Sequence, residues 1–416
     1  MQDKGAPPRS TLSGADRISA LPDGVREHVL SFLPAHDAVR TTVLARSWRD
    51  LWMRSPALCI VGWGTVDKFT QFVERLLRLH LSANGEPCAA PMALDSCQFH
   101  LSPLDFNDER DIVANKIETL MNDWIQCAVC CQVRVLQFSF VRHGPPLDVA
   151  FLTLLSEHLT KLELAGVAYH GNVDLSGCPA LQDMNIEDCL FVSDEIQAPY
   201  LKHLTFKTCG FFASNHTLFR LQSLISLRLT YCYGKIPFLA SMPSLATAIV
   251  MLDPTDYYLP NNDNTSCLLL NGLSEATNLE LSTSPQMIVF RRDLKFAQAF
   301  NKLKTLVLTD WFVAADLSAL IWFLNHSPIL EKLTLQITKV RRFKRNTEGS
   351  NKLPKSSVVS SHLNMVKIEC VVVDGIIIEI LKILSASGVP LEQISIQQSI
   401  AGSGCVEFKC TDLSIE

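Results

Sequence analysis

The nine residues Leu224 to Cys232, LISLRLTYC, place leucine at the first, fourth and sixth positions and cysteine at the ninth. The same offsets occur upstream in Leu181, Met184, Ile186 and Cys189, and in Leu201, Leu204, Phe206 and Cys209. A further copy, Leu303, Leu306 and Leu308, ends on Trp311 instead. Looser copies run through Val133/Leu136/Phe138, Leu159/Leu162/Leu164, Leu245/Ala248/Val250 and Ala276/Leu279/Leu281. Others follow at Leu330/Leu333/Leu335, Leu363/Val366/Ile368 and Leu391/Ile394/Ile396. Their starts fall roughly 20 to 33 residues apart, a period that suits stacked coils better than a single compact core.

The spacing has a direct physical reading. The fourth and sixth positions differ by two, so on a strand both side chains point to one face. The first position approaches the same interior from the preceding turn. The ninth lies just past the strand, where a small residue can hydrogen-bond the backbone of the neighbouring coil. One such unit cannot bury its own apolar face; a stack can, as a parallel sheet backed by helices or irregular segments. Cys189, Cys209 and Cys232 are therefore expected to be scaffold corners, not nucleophiles or metal ligands. The cysteine-tipped copies resemble plant-type leucine-rich repeats over Cys131 to Ser399, with weak places around Met251–Leu270 and Val340–Ser361 that read as long loops. The expected fold is an α/β leucine-rich-repeat solenoid, parallel strands backed by helices and irregular coils.

A different pattern opens the chain. In DRISALPDGVREHVLSFLPAHDAVRTTVLARSWRDLW, Asp16 to Trp52, Leu21-Pro22 starts a helix, since proline is tolerated in a first turn. Val25, Val29, Phe32 and Leu33 recur at helical spacing, and Pro34 stops that helix. His36-Asp37 begins another, with Asp37 as the expected cap. Leu44, Trp48, Leu51 and Trp52 form an i, i+4, i+7, i+8 stripe. So short a module carries more apolar surface than its own helices can bury, and the excess needs a partner inside or outside the chain.

These residues resemble the F-box. The match runs through Leu21-Pro22, Val29 to Pro34, Asp37 to Arg40 and Val43 to Trp48. The resemblance implies a small all-α module that binds a Skp-type adaptor and, through it, a cullin–RING ubiquitin ligase. Carried over by position, the adaptor-facing residues are Leu21, Pro22, Val29, Leu30, Leu33, Pro34, Val39, Val43, Leu44 and Trp48, while Leu51 and Trp52 anchor the module to the repeats. Gly24 and Ser47 depart from the family pattern, and Gly24 weakens its turn by up to about 1 kcal/mol relative to alanine. The competing reading is a helical cap on the solenoid, which needs one in any case.

The remaining boundaries follow: a tail at 1–14, the F-box at 15–55, a connector and N-terminal cap at 56–126, and repeats at 127–340. A basic loop occupies 341–355 (RRFKRNTEGSNKLPK), read as solvated chain, an import patch or an acidic-partner site. Residues 356–400 run strand, helix, strand and resemble the FBD segment of plant F-box proteins; 401–416 is a tail. Within the connector, Phe69 to Leu79 suggests an amphipathic helix, Asn84 to Pro91 a turn, Leu94 to Leu101 the first strand, and Asp105 to Asn122 a second helix.

Composition and motifs narrow the function classes. A charged content of 19% with a net charge of −5 lacks the concentrated cations that phosphate contacts require, so nucleic acid is not an expected partner. The amino end has no apolar signal-peptide core, and the greasiest run, Val371 to Leu384, is broken by Asp374, Glu379 and Lys382 and is too short for a membrane span. The chain is thus expected to be soluble, cytoplasmic and/or nuclear, with its 14 cysteines reduced and the sequons at Asn215 and Asn264 fortuitous. Cys127-x-x-Cys130-Cys131 has no second pair to complete a zinc site, so no metal is expected. Phosphate-loop, dinucleotide, zincin and serine-hydrolase motifs are absent from the sequence, so neither a cofactor nor a catalytic residue is expected.

A concave surface is expected from the residues between the fourth and sixth positions: Glu163, Asn185, Thr205, Arg228, Glu280, Val307, Thr334, Lys367 and Ser395. Their mixed character fits a protein client, with or without a small-molecule glue, or plain solvated surface. The functional expectation is a non-catalytic substrate-recognition subunit of an SCF-type ubiquitin ligase, with an unknown client. The alternative is a repeat scaffold for protein interactions outside the ubiquitin system.

Overall fold

The computed structural model describes residues 18–81, 94–141, 146–149, 154–252, 269–283, 289–313, 317–337, 362–400 and 404–409. The expected tail at 1–14, the turn at Asn84 to Pro91 and the basic loop at 341–355 lie outside the described residues, as do most of the two weak places in the repeat.

Period-two burial builds the sheet. In the strand Lys161–Ala165, Leu162 and Leu164 face inward while Lys161, Glu163 and Ala165 remain partly open. Successive coils repeat this in register, so Leu136, Leu162, Met184, Leu204, Leu227 and Ala248 lie side by side, one from each strand. Phe138, Leu164, Ile186, Phe206, Leu229 and Val250 make the next row. The ladder is parallel from Ala57–Val61 through to Ile394–Ile400. A slip of one residue in any coil would turn its leucines to solvent, which is why the pattern fixes the register.

What backs the sheet depends on coil length. Strands beginning at Lys161, Asp183, His203, Ser226 and Thr247 stand roughly 20 residues apart, and those coils return through short parallel strands. Val173–Asp174, Glu195–Gln197, Leu218–Arg220 and Phe238–Leu239 form a separate 4-stranded sheet there. Longer coils return through helices: α3 (Val66–Leu81), α4 (Arg110–Cys130), α5 (Val289–Asp293), α6 (Ser318–His326) and α7 (Gly375–Ala386). A helix advances about 1.5 Å per residue against about 3.3 Å for a strand, so the short coils cannot span the same distance in helical form.

The array starts earlier and ends later than the leucine motif. Ala57–Val61 already pairs in parallel with Ser96–Leu101, the expected first strand, so the segment expected to be a connector and N-terminal cap supplies two coils and the ladder starts one strand earlier than expected. The first of those coils has the strand alternation without the leading leucine, the second has Leu94, Cys97 and Phe99 at the first, fourth and sixth positions, and neither has a cysteine at the ninth. At the other end Gly404–Lys409, inside the expected tail, pairs antiparallel with Ile394–Ile400.

The corner cysteines fill the role inferred from their spacing. Cys189, Cys209 and Cys232 are buried, and each thiol reaches a sixth-position carbonyl of the preceding coil: Leu164 at 3.7 Å, Ile186 at 3.6 Å and Phe206 at 3.8 Å. Trp311 substitutes for them, donating its indole N–H to the Leu281 carbonyl at 3.1 Å. The residue just before each corner has a positive φ: Asp188 51°, Thr208 52°, Tyr231 55° and Asp310 49°. Gly166, with φ 73°, holds the same place in an earlier coil, and a Cβ there would stand 2.0 Å from the Phe140 carbonyl oxygen.

Two outcomes follow. Gly166→Ala should lower the midpoint of urea unfolding by the equivalent of about 1–3 kcal/mol or more, whereas Thr208→Gly should be neutral or stabilising. Burial pushes the Cys189 and Cys232 thiols up to about 12, and Cys209 upward by the same cause. Alkylation of the native chain near neutral pH, read by peptide mass spectrometry, should therefore mark exposed Cys130 and leave these corners unmodified until the chain unfolds.

Candidate functional site

Two prolines set up the amino-terminal module. Pro22 precedes α1 (Asp23–Leu30) and Pro34 precedes α2 (Ala35–Arg40), with φ of −56° and −51° that proline fixes in advance. Asp37 sits inside the first turn of α2, where it favours the helix dipole, rather than at the cap.

The expected stripe of Leu44, Trp48, Leu51 and Trp52 does not form one helix face. Short turns at Thr41–Val43, Arg46–Trp48 and Leu51–Arg54 replace the helix. Ala45 between the first two is fully extended (φ −159°, ψ 163°) and breaks the periodicity. Leu44 consequently faces out at 67% exposure while Trp48 faces in at 5%.

Trp48 is held by its own module. Its indole N–H donates to Ser19 Oγ at 2.9 Å, and the Arg26 guanidinium lies 5.5 Å from the ring centroid. Arg26 is itself buried and donates to the Asp23 carboxylate and, at 3.4 Å, to the Ser47 carbonyl. Arg54 reaches Asp23 at 3.1 Å and Glu27 at 2.9 Å, tying α1 to the last turn of the module. The hydrogen bonds from Arg26 and then Arg54 hold the Asp23 carboxyl below its usual range.

This network decides which side of α1 is hidden. Arg26 and Leu30 go inward and Leu33 is half-buried, while the more apolar stripe Val25, Val29 and Phe32 is left outside, Phe32 at 73% exposure. Val43, at 85%, and Leu44 add to the outer apolar surface. Of the ten residues expected to face an adaptor, Leu21, Pro22, Val29, Val43 and Leu44 are exposed, and Leu33, Pro34 and Val39 are half-buried. Leu30 and Trp48 are instead in the core of this chain: Leu30 shares the inward side of α1 with Arg26, and the Trp48 ring, in a later turn, is covered by Arg26 and Ser19. The residue-by-residue transfer passed over Ile18, Val25 and Phe32, all exposed. The i, i+4, i+7 spacing of Val25, Val29 and Phe32 was the available signal.

The module also closes one end of the solenoid. Pro34 makes a parallel bridge to Cys59 in the first strand, and Leu51 and Trp52 are buried. The Trp52 ring meets His80 of α3 edge-on, with centroids 5.7 Å apart. Capping and the outward apolar stripe therefore coexist in one module.

On the outward face of the parallel sheet, the face expected to be concave, neighbouring coils satisfy one another at several side chains. Glu163 accepts from Lys161 at 2.6 Å, Asn185 at 3.1 Å and Gln137 at 2.5 Å. Partial burial pushes the Glu163 carboxyl up, but those hydrogen bonds outweigh it and leave it low. Further along, Thr309 donates to Gln336 at 2.8 Å, Gln336 to Glu369 at 3.0 Å, and Lys367 pairs with Glu369 at 2.6 Å. Among the described residues no group of three or more His, Cys, Asp or Glu is placed to hold a metal ion, and no helix is long and apolar enough to cross a membrane.

His80 gives the seam between module and solenoid a pH signature. The ring is fully buried, Nδ1–H donates to the Leu76 carbonyl at 3.0 Å, and Nε2 has no hydrogen-bond partner among the described residues. Burial holds its pKa below 6.5. The unfolded chain then binds the proton more readily, so stability should fall as pH drops through 6.5 toward the lowered native value, by at most about 1.4 kcal/mol per pH unit. Thermal melts from pH 7.5 to 5.5 should show a smaller loss in His80→Leu than in the unaltered chain.

Comparison with known proteins agrees with this arrangement. Residues 18–58 match the F-box domain family. The rice (Oryza sativa subsp. japonica) MEIOTIC F-BOX protein MOF is 25% identical over 85% of this chain and 79% of its own length. An Arabidopsis thaliana F-box/FBD/LRR-repeat protein is 32% identical over 48% of this chain and 40% of its own length, so the matched part spans less than half of that relative. A putative FBD-associated F-box protein of Arabidopsis thaliana is 23% identical over 83% of this chain and 97% of its own. The chain thus carries an amino-terminal F-box followed by an α/β leucine-rich-repeat solenoid, and its curated relatives are plant F-box/FBD/LRR-repeat proteins.

Proposed function

We propose that this chain is the substrate-recognition subunit of an SCF-type cullin–RING ubiquitin ligase. The outward stripe of the module docks a Skp-type adaptor, and the solenoid holds a protein client. The observation that carries the reading is the inversion on α1, where a charged Arg26 is buried while Val25, Val29 and Phe32 stand in solvent, as do Val43 and Leu44. A folded chain gains by burying such a patch against another subunit. The chain's contribution is positional: it raises the effective concentration of client lysines near the ubiquitin-loaded enzyme. Such a role is exercised in the cytoplasm, the nucleus or both.

The bridge from Pro34 to Cys59 favours a second reading, in which the module is only a cap and the repeats act outside the ubiquitin system. Adaptor binding separates the two. Phe32→Ala should weaken binding to a purified Skp-type adaptor by about 2–4 kcal/mol, and paired Val43→Glu and Leu44→Glu changes should abolish it, with the melting temperature unchanged because all three side chains are already in water. Replacing Leu21 and Pro22 together by alanine should also abolish capture. Undiminished binding in these variants, measured by calorimetry, would remove the assigned surface.

A further inference from the structure

The concave face is internally satisfied at several side chains and open in its middle. The central row of outward strand positions contains half-buried Glu163 and Lys367, each engaged in an ion pair, and also exposed Arg228 and half-buried Glu280. Neither Arg228 nor Glu280 takes part in an ion pair or side-chain hydrogen bond among the described residues. Register places them symmetrically about one residue: Arg228 lies beside Ile249, and Ile249 beside Glu280. Val307 follows Glu280 in the same row. Ile249 and Val307 are both half-buried, so the middle of the face offers a cation, an aliphatic side chain, an anion and a second aliphatic side chain in line.

The spacing of the two charges selects a shape. Adjacent strands lie about 4.8 Å apart, so Arg228 and Glu280, two strands apart, are separated by about 9.6 Å at the backbone. A partner β-strand repeats its facing side chains every ~6.7 Å, or ~13 Å for alternate ones, and fits neither way. A polyproline-II helix has three residues per turn and ~3.1 Å rise, which brings residues three apart to one face at ~9.3 Å.

We propose that the middle of the concave face recognises a polyproline-II-type segment of a protein partner that carries an acidic and a basic side chain three residues apart. The acid meets Arg228, the base meets Glu280, and the intervening segment lies over Ile249. This rests on the reading of the solenoid as a client-binding surface, and it names the client's chemistry. Charge matching at exposed positions supplies specificity and orientation more than affinity.

The probes are short, fluorescein-labelled, proline-rich peptides with Asp and Lys three residues apart, two Asp at those places, or two Lys. Anisotropy on the purified full-length chain should show severalfold tighter binding of the Asp/Lys peptide. Arg228→Glu should shift the preference to the two-Lys peptide, and Glu280→Arg to the two-Asp peptide. The proposal is overturned if no peptide binds, if the ranking is the same for all three proteins, or if a helical peptide with the charges seven residues apart binds more tightly. Adaptor capture by the same three proteins tests the ligase assignment separately: retained capture with unselective peptides sinks only this inference, and lost capture by the unaltered chain sinks the ligase reading.

Discussion

The cysteine-tipped part of the solenoid depends on how one coil is tied to the next at the corner after its strand. In successive coils a cysteine thiol, or once an indole, reaches the carbonyl of the residue that ends the apolar pair in the coil before. Each such bond is weak. Its value lies in recurrence from coil to coil, and at Phe206 it shares the carbonyl with the Thr230 hydroxyl, which donates at 3.2 Å. The left-handed residue before the corner makes the turn, the corner residue closes it, and the strand of the next coil then falls into register. Parallel register in turn places side chains distant in sequence, such as Arg228 and Glu280, on one surface.

The amino-terminal module shows how one ion pair can redistribute hydrophobic surface. Burying Arg26 is tolerable because Asp23, the Ser47 carbonyl and the Trp48 ring all receive it. Once that side of α1 is committed inward, Val25, Val29 and Phe32 have nowhere to go but outward. The same module covers the exposed edge of the first strand, a position where an open sheet would otherwise invite pairing with another chain. Its two faces thus do different things, one toward the solenoid and one toward solvent.

Much of this was legible in the sequence, and the gaps have physical causes. The period-two alternation with a fixed corner residue located the strands from Lys161 to Thr309, because parity on a strand leaves no choice of face. The strand Ala57–Val61 escaped notice, since Leu58 and Ile60 alternate correctly but lack the leading leucine and the corner cysteine, whereas Leu94, Cys97 and Phe99 keep the leucine and marked their strand. A helix gives no comparable certainty: Val25/Val29/Phe32 and Arg26/Leu30/Leu33 have the same spacing, and only tertiary pairing of Arg26 decides between them. Leu44 and Trp48 looked like one face because nothing local announces that Ala45 is extended. The concave residues could be named by parity, but not which of them are left unsatisfied, since that depends on side-chain pairing across coils.

The central claim is that the stripe of Val25, Val29, Phe32, Val43 and Leu44 is the surface another subunit covers. Carbene footprinting of the full-length chain, with and without a purified Skp-type adaptor, tests it most directly. The account predicts that labelling of these side chains drops on complex formation while Leu30 and Trp48, already interior, stay unlabelled in both states. Undiminished labelling of Phe32 and Val43 in a chain that nevertheless holds the adaptor would contradict it.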